Sequence, residues 1–144
     1  MAYIKILIHV VWTTKNRQPF LTDQIRNDII FHIKKNAISK DIHIDHINGY
    51  TDHLHALISF GNNQTVSQIM QLIKGESSFW INKSKLSTAK FEWQDDYYAV
   101  SIGMTQLEIL RNYIKNQEQH HKVVLLEDEL ELLIKEYGLK RIKD

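Results

Sequence analysis

The chain of 144 residues contains no cysteine. That excludes disulfides, thiolate metal sites and cysteine nucleophiles, and it suits a reducing compartment such as the cytoplasm. There is one proline, Pro19, and there are five glycines, a poor composition for linkers or low-complexity segments. No apolar run reaches the roughly 18 residues that a membrane helix needs, so no membrane partner is expected. The start, Met1-Ala2-Tyr3-Ile4-Lys5, has the pattern of a strand rather than a secretory signal. An excess of one charge is missing too: 18 lysines and arginines face 17 acidic residues, for a net charge of +1. Bulk charge therefore does not announce a nucleic-acid binder, and any such surface must come from local clusters. Histidine is the residue in plentiful supply, with eight copies, and imidazole suits metal binding and proton transfer.

Hydrophobic periodicity divides the chain into elements. Residues 3–12 are rich in Ile and Val and predict a mostly buried strand. A polar, basic loop over 13–20 is followed by Leu21, Ile25, Ile29 and Ile33 at helical spacing, a helix ending near Lys40. Residues 41–50 alternate and predict a second strand, and a three-residue turn joins it to a third over 53–60, an antiparallel hairpin. Thr65 with Gln68 has the form of a capping box opening a helix whose apolar side carries Val66, Ile69, Ile73 and Trp80. Residues 97–102 predict the fourth strand. Thr105 with Glu108 predicts a second capping box, for a helix over 105–122, and a last amphipathic helix is expected over 124–137. The order βαββαβ plus two helices predicts an α+β, ferredoxin-like sandwich with 1–102 as its core. The first and third strands are central in such a sheet.

The third strand contains His53-Leu54-His55. Strand side chains alternate between faces, so both imidazoles project from one face about 7 Å apart, and Leu54, Ala56 and Ile58 occupy the other. On that open face the pair can share one metal ion, or can make local hydrogen bonds only. Tyr113 and Gln117 lie four apart on the predicted helix 105–122, a spacing that stacks a phenol and a carboxamide on one side. A divalent cation that binds a phosphate oxygen and polarises phosphorus would let the tyrosine oxygen attack in line. Gln117 offers a neutral oxygen ligand, and mixed nitrogen and oxygen ligation fits Mg²⁺ or Mn²⁺. His121, four residues further on, is a rival ligand, although histidines in a last helical turn also complement the helix dipole.

These residues resemble the single-tyrosine HUH transposases, small bacterial enzymes of insertion sequences that move as single strands. The histidine–hydrophobe–histidine motif is His53-Leu54-His55, and the Tyr-x-x-x-Gln helix is matched by Tyr113 and Gln117. Flanking segments are similar as well: the first strand and basic loop from His9 to Arg17, Leu72-Ile73-Lys74-Gly75 with Trp80-Ile81-Asn82-Lys83, and Trp93-Gln94 before Tyr97-Tyr98-Ala99-Val100-Ser101. Asp95-Asp96 departs from the pattern before the aromatic pair. The resemblance implies a homodimer in which one subunit's tyrosine can serve the other's metal site. It implies binding to DNA hairpins near element ends, cleavage of single-stranded DNA, a 5′-phosphotyrosine intermediate with a free 3′-hydroxyl, and strand transfer without a nucleotide cofactor. Carried over by position, His53, His55 and Gln117 are the metal ligands and Tyr113 is the nucleophile.

Single-stranded loops are recognised by aromatic stacking and by cations on phosphates. Lys15, Arg17, Lys74 and Lys83 are the candidate phosphate contacts, while Tyr97 and Tyr98 alternate faces and are expected to pack. Three other functions share parts of this pattern. One is a domesticated HUH endonuclease acting on repeated palindromes. The second is a non-catalytic ferredoxin-like nucleic-acid-binding module. The third is a zinc hydrolase, which needs a carboxylate beside the histidines, whereas alternation is expected to send Asp52 to the opposite face.

Overall fold

A computed structural model describes residues 1–120 together with Asp128, Glu129, Glu131, Leu132 and Lys135. Its elements are β1 (Ile6–Thr14), α1 (Asp23–Ser39), β2 (His43–Gly49), β3 (His53–Phe60), α2 (Val66–Lys83), β4 (Trp93–Ile102), α3 (Leu107–Lys115) and α4 (Gln117–His120). The strands form one sheet in the order β2-β3-β1-β4, every neighbouring pair antiparallel. This is the expected α+β order, with β1 and β3 at the centre.

The centre is where side chains are buried on both faces, and each face has its own apolar cluster. On one side Val10 and Trp12 of β1 lie opposite Ala56 and Leu54 of β3. They join Ile29, Ile33 and Ala37 of α1 and Ile69, Met70, Ile73 and Ile81 of α2 in the main core. Truncating a side chain such as Ile58, fully buried there, would cost about 2–5 kcal/mol. On the other side Leu7 and Leu57 meet Leu107 and Ile114 of α3, with Ile102, Leu110 and Tyr113 packed around them. The face expected to be open is therefore covered, and His53 and His55 are both 0% exposed.

Element boundaries differ from expectation where pairing or caps decide them. β1 begins only where Ile6 finds Phe60, and it continues through Thr13 opposite His53. β4 begins four residues early because Trp93 pairs with Thr14 across an irregularity that leaves extra residues in β4. Thr65 caps α2 as predicted, accepting from the Gln68 N–H. The Thr105–Glu108 box does not form. A 3₁₀ turn over Met104–Gln106 precedes α3, with the Gln106 side chain reaching back to the Gly103 N–H, and Glu108 pairs with Arg111 instead. The segment expected as one helix over 105–122 breaks at Asn116, whose backbone (φ −100, ψ 21) leaves helical geometry. Most of the expected helix over 124–137 lies outside the described residues; positions 128, 129, 131, 132 and 135 are helical.

Among the described residues, no helix is long and apolar enough to cross a membrane.

Candidate active site

The hairpin before β3 delivers the two histidines. Gly49 closes against that strand, and a Cβ there would overlap the His53 carbonyl oxygen and the Leu54 side chain. Thr14 N–H donates to the Asp52 carbonyl at 2.9 Å and Leu21 N–H to the Thr51 carbonyl at 2.8 Å, which fastens the turn to the end of β1. Asp52 sits in this turn, ahead of the strand, so alternation does not govern it. Its Oδ1 lies 2.8 Å from His53 Nδ1. The expected absence of a carboxylate beside the pair is thereby corrected.

Three contacts hold the tyrosine helix over the site. A bulge in β2 between Ile44 and His46 lets Asp45 leave the ladder and meet Arg111 of α3, a common use of an extra strand residue. Asn48 Nδ2 donates to the Lys115 carbonyl at 2.9 Å, satisfying a backbone acceptor at the helix end. Leu107 and Ile114 supply the apolar contact. The break at Asn116 then turns the chain so that α4 starts at Gln117. Glu118 of α4 reaches the buried guanidinium of Arg26, which also donates to the Leu21 carbonyl at 2.9 Å.

Gln117 is completely buried, and its Oε1 lies 3.2 Å from His53 Nε2. Its Nε2 is 3.5 Å from the Tyr113 carbonyl, which orients the amide with oxygen toward the histidine. His53 thus has an acceptor against each ring nitrogen, although a neutral imidazole carries only one N–H. A cation between the ring and the Gln117 oxygen would satisfy this pairing. His55 Nε2 lies 2.7 Å from Glu129 Oε1. Octahedral bonds of about 2.1 Å separate adjacent ligand atoms by about 3 Å. Ligand atoms of His53, His55 and Glu129 fall within 4.8 Å of one another. This donor set fits a divalent ion, and Asp52 on His53 Nδ1 matches the outer partner that usually orients a ligating histidine.

Tyr113 stands edge-on to the same cluster. Its ring centroid is 5.5 Å from that of His55 at an interplanar angle of 84° and 6.4 Å from that of His9. His9, on β1, lies with its Nε2 2.9 Å from His55 Nδ1. Burial pushes the His55 imidazole down to about 3, against the upward pull of Glu129. Burial likewise pushes His9 down to about 4, again opposed by Glu129. Both rings are therefore neutral near pH 7, the form that accepts a metal or a hydrogen bond.

Sequence reasoning found His53, His55, Gln117 and Tyr113, and the fold brings these four together. It missed Asp52, His9 and Glu129. His9 carried a signal, being a polar residue on the central strand two positions from the residue opposite His55. Glu129 carried none, since one acid among many on an amphipathic helix reads as solvent-facing. His121 lies outside the described residues.

The basic residues are dispersed. Lys15 and Lys74 line one cleft of about 390 Å³ with Lys90, Trp93 and Gln94, and Arg17 and Lys83 do not line it. Lys15 is exposed and pairs with Glu92 at 2.8 Å. Lys74 Nζ donates to the carbonyls of Gln94 and Asp95 at 2.6 and 2.9 Å and sits over the Tyr97 ring, so it clips α2 to the start of β4. Tyr97 packs against the main core as expected. Lys83 lies over the exposed Phe79 ring.

The sheet presents His53 and His55 to the point that Gln117 and Tyr113 approach. The family model of IS200-like transposases matches residues 2–117, and the chain belongs to that family. It is 26% identical over 121 residues to the transposase of insertion sequence element IS200 from Salmonella typhimurium, covering 80% of this chain and 78% of that protein. The Salmonella typhi transposase matches to the same extent. Two solved structures share the fold. A candidate transposase from Deinococcus radiodurans superposes with a TM-score of 0.65 at 18% identity, over 81% of this chain and 94% of that one. A REP-associated tyrosine transposase bound to a REP hairpin gives 0.61 at 16% identity, over 100% of this chain and 92% of that one.

Proposed function

We propose that this transposase binds DNA hairpins and cleaves and rejoins single-stranded DNA through a covalent bond to Tyr113, with Mg²⁺ or Mn²⁺ held by His53, His55 and Gln117. The observation that carries the reading is the convergence of the Tyr113 ring on His55 at the point where Gln117 meets His53. Glu129 adds a fourth donor beside His55. A divalent ion there supplies Lewis acidity and neutralises charge on the phosphate.

The chain's own groups do the rest. Tyr113 forms a bond from its phenolic oxygen to phosphorus, the bond from phosphorus to the 3′-oxygen breaks, and that oxygen leaves as a 3′-hydroxyl after taking a proton. A second strand's 3′-hydroxyl then attacks phosphorus, the phosphotyrosine bond breaks, and the phenol regains its proton. One phosphodiester replaces another, so no nucleotide is consumed. The aromatic and apolar lid of α3 excludes water that would compete for the intermediate. The contact between Tyr113 and His55 within one chain supports action on that chain's own metal site. The homodimer implied by the family resemblance remains part of the proposal; a sedimenting monomer that cleaves normally would remove obligatory catalysis in trans.

The hairpin bound to the structural relative supports a hairpin ligand here. It also supports a second reading, a domesticated endonuclease acting on repeated palindromes, which the same site would serve. Hairpin-forming ends flanking the gene would favour the mobile element.

The test is an oligonucleotide carrying a hairpin and a single-stranded flank, labelled at its 3′ end, incubated with Mg²⁺. The expected product is a labelled covalent protein adduct, lost in Tyr113→Phe. An adduct persisting in that variant moves the nucleophile elsewhere, and hydrolysis without any adduct points to the zinc-hydrolase alternative.

A further inference from the structure

The loop after β1 is held in a conformation that its residues do not favour. Asn16 and Arg17 both have positive φ, 55° and 53°, and the Gln18 N–H closes the turn on the Lys15 carbonyl at 3.3 Å. Positive φ at both central residues marks a type I′ turn, whose preferred pair is Asn-Gly. Asn16 suits the first place, whereas Arg17 stands where glycine is favoured and carries the steric cost of a Cβ there. Such a turn persists only when its surroundings fix it.

Three hydrogen bonds do so. Thr14, 1% exposed, donates its hydroxyl proton to the Gln18 carbonyl at 2.7 Å. From β4, the Gln94 side-chain oxygen accepts the Asn16 N–H at 3.1 Å. Just beside it, the Glu92 carbonyl accepts the Lys15 N–H at 3.1 Å. This clamp is continuous with the histidine site. Thr13 pairs with His53, the Thr14 N–H donates to the Asp52 carbonyl at 2.9 Å, and the Asp52 carboxylate meets His53 Nδ1. The Thr14 hydroxyl also lies 3.3 Å from the Asp52 carbonyl, but its single proton goes to the nearer acceptor. One buried residue thus joins the turn before β3 to the basic loop, where Lys15 is exposed.

We propose that Thr14 and Gln94 are positioning residues for DNA. By fixing the left-handed turn they set where the basic loop holds a phosphate of the single-stranded flank relative to His53, and so where the strand meets Tyr113. This rests on the strand-transfer reading above. A loosened loop still attracts DNA by charge, but it presents the scissile phosphate in the wrong place.

The test uses three variants of the full chain. Thr14→Val keeps the branched shape and loses the hydroxyl, Thr14→Ser keeps the hydroxyl, and Gln94→Ala removes the acceptor from a half-buried side chain. Backbone ¹⁵N relaxation of metal-free protein without DNA reads the clamp. Order parameters at residues 16 and 17 should be about 0.85 in wild type and Thr14→Ser, and below about 0.6 in Thr14→Val and Gln94→Ala. Single-turnover adduct formation at saturating hairpin oligonucleotide should slow by about 10- to 100-fold in the two loosened variants and stay within about threefold of wild type in Thr14→Ser. Mn²⁺ and hairpin affinities should change by less than about threefold, as befits contacts that set register. A loosened turn with the wild-type saturating rate overturns the proposal, and so does an unchanged turn in both folded variants. Lost hairpin affinity at an unchanged saturating rate overturns it too, because the loop would then serve affinity alone. Wild type that forms no adduct, with a turn that loosens as expected in the variants, leaves the clamp standing and defeats the strand-transfer reading instead.

Discussion

Arg111 grips Asp45 with two nitrogens, Nε at 2.9 Å from Oδ1 and Nη2 at 2.7 Å from Oδ2, and so ties the tyrosine helix to the bulge of an edge strand. Paired, parallel hydrogen bonds of this kind fix orientation as well as distance. The pairing matters because α3 has few other polar anchors on the sheet, and its position sets where Tyr113 stands. Asp45→Ala should lower the rate of adduct formation by about 10- to 100-fold, the usual consequence of misplacing a reacting group by about 1 Å. Single-turnover cleavage measures it. An unchanged rate would mean that Leu107 and Ile114 hold the helix by themselves.

The same pair gives a pH signature. Arg111 is the main cause holding the Asp45 carboxyl down, to about 2 from an ordinary 3.8, with His46 helping. The folded value lies below the unfolded one, so the stabilisation is fully present above about pH 3.8 and is lost as pH falls through 2. The melting temperature of wild type should exceed that of Asp45→Asn at neutral pH, and the gap should close toward pH 2. A gap independent of pH would assign the effect to shape and not to charge.

His9 and His55 act over a different window. Both are depressed, to about 4 and about 3, by burial, from an unfolded value of about 6.5. Between those limits the unfolded chain binds protons that the folded chain refuses. Metal-free protein should therefore be stable above pH 6.5 and lose stability as pH drops toward 4 and 3, with a slope of up to about 1.4 kcal/mol per pH unit for each histidine. Urea titrations at several pH values measure the slope, and His9→Gln should remove about one histidine's share. A slope unaffected by that substitution would mean His9 is already charged at neutral pH.

Metal binding should be visible without DNA. A ligand that binds only the folded state at about 100 times its dissociation constant stabilises by about 2.7 kcal/mol, which for a chain of this size is roughly 10 °C in melting temperature. Mn²⁺ should raise the wild-type midpoint by that order, and a chelator should reverse it. His53→Ala and His55→Ala should abolish both the shift and cleavage while leaving hairpin binding largely intact. Gln117→Ala and Glu129→Gln should each reduce the shift, and His121→Ala should reduce it less than Gln117→Ala. Loss of hairpin binding together with cleavage in the histidine variants would assign those residues a structural role.

Much of this architecture could be read from spacing alone, for reasons particular residues make plain. Leu54, Ala56 and Ile58 alternate with His53, His55 and Leu57, so one strand declared both its core face and its site face. Ile25, Ile29 and Ile33 did the same for α1. Tyr113 and Gln117 were joined correctly but by the wrong device: four-residue spacing suggested a continuous helix, while the chain turns at Asn116 and Gln117 reaches His53 from a new helix. What could not be read depends on long-range register or docking. His9 meets His55 only because β1 pairs with β3 two residues out of step with the pair, and Glu129 meets it only because a later segment folds back onto the sheet. Pattern along the chain contains neither fact. Asp52 was misplaced because strand alternation was extended one residue into a turn.

The basic residues separate into two kinds, which gives the last test. Lys15 and Arg17 precede Pro19 in the loop after β1, with Lys15 at 57% side-chain exposure and in an exposed pair with Glu92, an interaction of small worth that a phosphate can replace. Lys74 instead donates to two backbone carbonyls before the aromatic pair, so removing it leaves acceptors without their donor and frees the start of β4 from α2. Lys15→Ala should therefore weaken hairpin binding similarly for all sequences and reduce the slope of log affinity against log salt by about one, with melting temperature unchanged, and Arg17→Ala should weaken binding in the same manner. Lys83→Ala should behave in the same way if DNA extends across Phe79. Lys74→Ala should lower the melting temperature as well as the affinity. Fluorescence anisotropy at several salt concentrations, paired with thermal melts, separates these outcomes. A Lys74 variant that melts like wild type yet loses a full unit of salt slope would make it a phosphate contact after all, because the two carbonyls would then have found water without cost.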